Sequence, residues 1–455
     1  MLNPKVIGLS VMMFLQFFVW GAWYVTVGNY MKAHGMFDQV GWAYTVAPIA
    51  AIVSPFFLGF IADRYFASEK VLAVLHLLGA VAMFLVPMAA SISSTAFILM
   101  LLVHTLCYMP TLGLTNTLAF HNIDDQEKEF PVVRVFGTIG WIVANLTVGT
   151  VFGADYSETQ FYITGVAGIV LGLFSFTLPH TPPPSAGQKV TIREIAGLDT
   201  LALLKERSFA VFIVGSFLIC IPLAAYYAFA PVYVGKVGFT SPASTMSFGQ
   251  GSEIVFMLLM PLFFARLGVK WMLFVGMAAW VVRYGLFAAA NDGDMYMLVF
   301  LGILLHGICY DFFFVTGFIY TDKKCTKEMR GQAQGFLVLV TQGLGLGIGA
   351  QLMNRLVGYY TPQEAKDLGA ESAALAKKAF AMTDVEAAKP LFDQADALAA
   401  QASQLMDWQM IWLIPCIMAG IVMILFGLLF NDKVDASEEE TGYGTDEAPA
   451  TEPSH

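Results

Sequence analysis

Charge is what this sequence has least of. Only 13% of its 455 residues are Asp, Glu, Lys or Arg, against about 25% in an average soluble domain. With 57% hydrophobic residues, that scarcity excludes a water-soluble globule. Cysteine is sparse as well. Cys107, Cys220, Cys309, Cys325 and Cys416 are scattered and form no Cys-x-x-Cys pair, which argues against a disulfide framework or a thiolate metal site. No His/Cys/Asp cluster has metal-ligand spacing, and there is neither a phosphate loop nor a nucleophile elbow. Neither enzymatic chemistry nor a cofactor, metal or nucleic-acid partner is expected. The glycine run "GLGLGIG" (343–349) lies inside an apolar stretch and reads as close helix packing.

What the chain does have is apolar runs of 18 residues or more, each long enough to cross a bilayer core of about 30 Å as a helix. Twelve candidate spans follow: 6–30, 41–62, 70–91, 96–119, 131–153, 160–179, 209–234, 246–265, 271–290, 295–320, 332–352 and 409–430. The first is too long for a signal-peptide core and has no small-x-small cleavage site, so it reads as a span. Lys and Arg crowd the segments that share a side with the N-terminus, from Lys5 through Arg64, Lys70, Arg266 and Lys323 to Lys433. The short loops on the other side hold only Lys32 and Lys236. By the positive-inside rule both termini are cytoplasmic.

The stretch "LPHTPPPSAGQKVTIREIAGLDTLALLKERSF" divides the chain. It gives a six-span bundle over 1–180, a cytoplasmic linker over 181–208 and a second six-span bundle over 209–431. A weak repeat agrees: "SPFFLGFIADRYFASEKVL" joins spans two and three, and "MPLFFARLGVKWML" joins spans eight and nine. This is an all-α membrane protein laid out as two repeated halves, as in major facilitator transporters. Residues 353–408 read as an extracytoplasmic cap or spacer, with "DQADALAAQASQLMDW" a helix leading into span twelve. The tail 432–455 is acidic and reads as disordered.

Ionisable groups inside spans cost several kcal/mol unless they face protein or water, so they point to function. In span five Arg134, Thr138 and Trp141 are spaced i, i+4, i+7 and share a helix face. A cation, a hydroxyl and an aromatic plate on one stripe suit a flat polar ligand; Arg134 snorkelling to headgroups is the other reading. In span eight Gln250 and Glu253 face the same way, as ligand contacts or with Glu253 in a structural pair with Arg283 or Arg134. In span ten "HGICYDFFFVTGFIY" (306–320) places His306 and Tyr310 on one face and Asp311 beside them. A carboxylate whose surroundings change during a transport cycle can load and release a proton; a structural salt bridge, with Arg283 as partner, is the alternative. His76 and His104 read as inter-helix hydrogen bonders. Trp20 and Trp23 are belt or cavity residues, and spacing does not decide which; Trp42 reads as a belt residue.

Gly59, Asp63 and Arg64 in "GFIADRYFASEK" fit the Gly-x-x-x-Asp-Arg pattern of the major facilitator superfamily. Six further stretches resemble its nucleoside:proton symporter branch: "FLQFFVWGAWYVTVGNYM", "CYMPTLGLTNT", "FPVVRVFGTIGW", "GLDTLALLK", "AAWVVRYGLFA" and "YDFFFVTG". The resemblance implies a proton-coupled nucleoside importer, monomeric, in a bacterial inner membrane and working by alternating access. It places the ligand site on Arg134, Thr138, Trp141, Gln250, Glu253, His306 and Tyr310. Proton coupling falls on Asp311, with Glu253, and gating on Gly59, Asp63 and Arg64. The chain departs from that pattern in span seven, where a glutamine–asparagine pair is replaced by "IPLAAYYAFAPVYV". Tyr226 and Tyr227 then offer one hydroxyl each. The change keeps a proton-linked sugar or glycoside carrier as the alternative, and a receptor built on a transporter fold behind it.

Overall fold

Every regular element among the residues described by the computed structural model is helical. Those residues are 4–57, 65–124, 126–183, 198–290, 295–325, 330–380, 382 and 385–431. Gly59, Asp63 and Arg64, most of the linker and the acidic tail therefore lie outside them. The cause of the all-helical architecture is the apolar medium: a chain with no water to hydrogen-bond must satisfy its backbone internally.

Nine of the described helices are long and apolar enough to cross a membrane. Val40–Phe57 and Thr159–Ser175 are shorter, and Pro242–Ala289 is two spans merged across a bend. Together these give the twelve expected spans. Span one is broken: Pro4–Tyr24 ends, and Val27–Ala33 resumes after Val25 and Thr26. The bend between spans eight and nine is at Gly268, whose φ of 65° favours glycine. Span eleven runs on to Tyr359, so residues 353–359 belong to it rather than to the segment that follows. That segment is a helical hairpin, Gln363–Phe380 and Val385–Leu405, joined where Ser372 Oγ donates to Ala395 O at 2.7 Å. The hairpin sits on the turn after span one, and Ala373 packs directly on Gly35.

The helices form two groups. Span one packs on spans five and six, span three on four and six, and span two on four. Span seven packs on eleven and twelve, and spans eight and nine on ten and twelve. Between the groups, span two meets eleven, span five meets eight, and span one meets seven. An even number of spans leaves both chain ends on one side, the termini end, and the hairpin on the other, the hairpin end.

Glycines set the closest approaches. A Cβ on Gly140 would collide with the Phe14 carbonyl where spans one and five cross. Alanine gains about 1 kcal/mol over glycine in a helix, but a backbone clash in a packed seam costs about 1–3 kcal/mol and a larger side chain more. Gly140→Val is therefore expected to lower the thermal midpoint of the purified protein by several degrees. Gly420→Ala, which would meet nothing within 4 Å, is expected to be neutral or slightly stabilising. Equal midpoints in a melt of the two variants would refute this account of the seam.

Candidate functional site

A cavity of about 310 Å³ lies between the two groups of helices. Its lining includes Arg134, Thr138 and Trp141 from span five, Tyr227 from span seven, Gln250 and Glu253 from span eight, and His306 and Tyr310 from span ten. The seven residues that the resemblance places in the ligand site, with Tyr227 of the tyrosine pair, thus meet on one surface, contributed by both groups.

Span ten explains part of that convergence. His306, Tyr310, Phe314 and Phe318 all line the cavity at a stride of four residues. A regular α-helix turns every 3.6 residues, so a stride of four drifts off one face. Here Asp311–Val315 forms a π turn, which widens the local repeat and holds the four rings on one stripe. The same device recurs in span eleven, where Leu339–Gly345 is π and Gln342 lines the cavity.

The three consecutive phenylalanines have different tasks. Phe312 packs on Phe256 and Phe263 of span eight, with ring centroids 6.1 and 5.1 Å apart. Phe313 meets Trp280 of span nine at 5.1 Å. Phe314 faces the cavity. Asp311 opens the π turn, is 0% exposed, and neither carboxylate oxygen has a hydrogen-bond partner. It is not part of the cavity lining but sits behind Tyr310.

The polar groups of the cavity are largely free for a ligand. The Arg134 guanidinium lies 4.4 Å over the Phe17 ring. Gln250 Oε1 and Trp141 Nε1 are buried without partners. Glu253 Oε2 is 3.8 Å from His306 Nε2, while His306 Nδ1 has no partner. Trp20 and Trp141 meet edge-on at 5.6 Å, so Trp20 belongs to the cavity. Trp23 is buried against His104, and Trp42 is 48% exposed. Spans eight and ten are in backbone contact beneath these groups: a Cβ on Gly307 would lie 2.5 Å from Ser252 O, and Gly307 N donates to Ser252 Oγ at 2.9 Å.

Two sequence expectations change. Tyr226 does not share the cavity with Tyr227; it is 1% exposed and stacks under the Arg283 guanidinium at 4.1 Å. Adjacent residues on a helix point about 100° apart, so only one of the pair reaches the cavity. Arg283 is not the partner of Asp311. It donates from Nε to Gly302 O at 2.9 Å, and Nη1 and Nη2 are unpaired. His76 and His104 do act as inter-helix bonders, the first to Gln16 Oε1 at 2.8 Å and the second to Gly79 O at 2.9 Å.

Sequence reasoning missed Phe17, Tyr24, Asn116, Phe314, Phe318 and Gln342, all of which line the cavity. The four-residue stride from His306 would have found the two phenylalanines. Asn116 and Gln342 are amides within apolar runs and line the cavity from spans four and eleven.

Toward the hairpin end the cavity is bounded by Tyr24 and Tyr227, ring centroids 6.2 Å apart across the two groups, with Tyr44 behind at 5.2 Å from Tyr24. Hydrogen bonds between the groups gather at that end. Gly41 N donates to Asn354 Oδ1 at 3.0 Å and Asn354 Nδ2 to Asp38 O at 2.6 Å. Gln351 Nε2 donates to Thr45 Oγ1 at 2.9 Å, and Ala243 N to Asp155 Oδ1 at 2.7 Å. Burial pushes the Asp155 carboxyl up, opposed by its hydrogen bonds from Ala243 N and Ser241. At the termini end no hydrogen bond between described residues joins the two groups.

Comparison with known proteins fits this geometry. The sequence profile described as "Nucleoside H+ symporter" matches residues 5–383. The chain is 44% identical over 367 residues to the putative nucleoside transporter YegT of Escherichia coli strain K12, covering 78% of this chain and 86% of that protein. It is 32% identical over 371 residues to the nucleoside permease NupG of the same organism, covering 78% and 88%. The crystal structure of the nucleoside transporter NupG superposes with a TM-score of 0.77 at 28% identity, over 95% of this chain and all of that one.

Proposed function

The chain belongs to the nucleoside H+ symporter family, and from that membership we propose that it imports nucleosides across a bacterial inner membrane by proton symport. The hairpin end faces outward and both termini are cytoplasmic, a reading supported by the distribution of Lys and Arg. The two six-helix halves, 1–180 and 209–431 joined by the linker 181–208, rock about the central cavity. With its bonds closed at the hairpin end, the state described is inward-open.

The observation that carries the reading is the joint lining of one cavity by both halves. Arg134, Thr138 and Trp141 come from one half, and Tyr227, Gln250, Glu253, His306 and Tyr310 from the other. Trp20, Trp141 and Tyr310 present aromatic faces to a base, and stacking on such a face is worth about 1–3 kcal/mol. Gln250 presents an unpartnered oxygen, and Arg134 and Glu253 present charged groups, to ribose hydroxyls. Asp311, buried without a partner, takes and releases the proton. Gly59, Asp63 and Arg64 govern the cytoplasmic gate.

Uptake of labelled uridine, adenosine and glucose into proteoliposomes tests the proposal. Nucleoside is expected to accumulate only when an inward proton gradient is imposed. Accumulation of glucose without nucleoside, or gradient-independent accumulation, would overturn it.

A further inference from the structure

Two side chains outside the cavity stand in the same relation to it. Span two begins at Val40 and span eight at Pro242. The first N–H groups of a helix have no partner within it. In each case the partner comes from the opposing half. Asn354, in span eleven, accepts from Gly41 N at 3.0 Å, and Asp155, just past span five, accepts from Ala243 N at 2.7 Å. Ser241, which precedes span eight, makes no side-chain cap of its own. Its one hydroxyl proton has Ser244 Oγ at 3.0 Å and Asp155 Oδ2 at 3.5 Å as alternative acceptors.

The two arrangements are reciprocal. Spans two and eight are each the second span of their half. Span eleven is the fifth of its half, and Asp155 follows the fifth of the other. Each cap also has a glycine beside it. Gly41 lets span two approach span eleven, where a Cβ would lie 2.6 Å from Asn354 Cβ, and Gly149 brings span five directly against Ser241 and Ser244. Asp155 is 2% exposed, so its carboxylate is committed to this seam.

We propose that Asp155 and Asn354 are positioning residues for transport: reciprocal helix caps across the two halves that hold the outer end shut. Opening outward must pull each helix N-terminus from its cap and hydrate both. The bonds exist only while the outer end is closed, so they bias the equilibrium between states without touching the ligand. Neither residue lines the cavity, and nucleoside affinity is not their direct concern. Asp155 brings a negative charge to the positive end of the span-eight dipole and is the stronger of the two.

Spin labels on Ser91→Cys and Tyr359→Cys, exposed positions in opposite halves toward this end, report the distribution between states without any substrate. The readout is therefore independent of what the carrier moves. Losing an N-cap is expected to raise the outward-to-inward ratio roughly tenfold in Asp155→Ala and somewhat less in Asn354→Ala. The two seams share no partner, so the double variant should approach the product. Asp155→Asn keeps the acceptor and is expected within about threefold of wild type. Melting temperature and nucleoside binding in detergent identify any variant that has lost its fold, and Asn354→Ala tests the second seam if Asp155→Ala does not survive purification. Unchanged distributions in the folded alanine variants would overturn the proposal. So would Asp155→Asn shifting as far as Asp155→Ala.

Discussion

Asp311→Asn is expected to abolish proton-driven accumulation while leaving nucleoside binding and exchange. The residue is fully buried, both carboxylate oxygens lack partners, and Arg283 is engaged with Tyr226 and Gly302. A carboxyl group so placed needs either a proton or a counter-ion, because an unpaired ion in an apolar interior costs many kcal/mol. It receives a counter-ion from none of its described neighbours, and on the proposed reading the group takes and releases its proton as its surroundings change with the state of the carrier. Asparagine keeps the size and removes the titration. Coupling is thereby lost: substrate can equilibrate across the membrane but not be concentrated. Since Asp311 stands behind Tyr310 rather than in the cavity lining, affinity should stay within a few-fold of normal. Counterflow and gradient-driven uptake, measured on the same proteoliposomes, separate the two activities. Full accumulation in Asp311→Asn would move proton coupling to another residue.

Glu253→Gln should instead lose binding. Glu253 lies in the cavity wall with Gln250 one turn before it and His306 at 3.8 Å. A buried hydrogen bond to a charged group contributes about 1.5–3 kcal/mol. Its loss corresponds to roughly a ten- to hundred-fold weaker affinity. Glutamine still offers one oxygen, so the lower part of that range applies to Glu253→Gln and the upper part to Glu253→Ala. Gln250→Ala removes a neutral partner and should cost less than either. Calorimetry with uridine or adenosine on folded variants measures all three. Wild-type affinity in both Glu253 variants would place the ribose elsewhere in the cavity.

The contrast between these two acids was only half legible in the sequence. Burial cost picked out both, because an ionisable group in a span has few excuses. Helix-face spacing then grouped Arg134 with Thr138 and Trp141, and Gln250 with Glu253. Spacing works within one helix, and it fails across helices. It could not show that Tyr226 turns away while Tyr227 turns in, or that Arg283 is held by Tyr226 rather than by Asp311. Nor could it reveal residues whose type is ordinary for a span. Phe17, Phe314 and Phe318 look like lipid-facing or packing residues until the helices are placed around the cavity. The span count was legible because the bilayer fixes helix length. The hairpin Gln363–Leu405 was legible only in its second helix, since alanine-rich amphipathic sequence states a helix but not what it packs against.

The π turn at Asp311–Val315 has a consequence for how span ten is built. A wider turn accommodates one residue more than the same rise of α-helix, and here that residue falls beside the buried acid. His306–Tyr310 precedes it and Thr316–Lys324 follows it as α-helix, so the turn acts as a registration mark between the two. Shortening it by a single residue would leave a continuous, perfectly good membrane helix. Phe318 and Lys324 would then be rotated by about 100° relative to His306, and the aromatic stripe would be split between the cavity and its neighbours. In this span, length is therefore as much a part of the site as residue identity: a one-residue deletion would undo it without changing a single side chain that lines it.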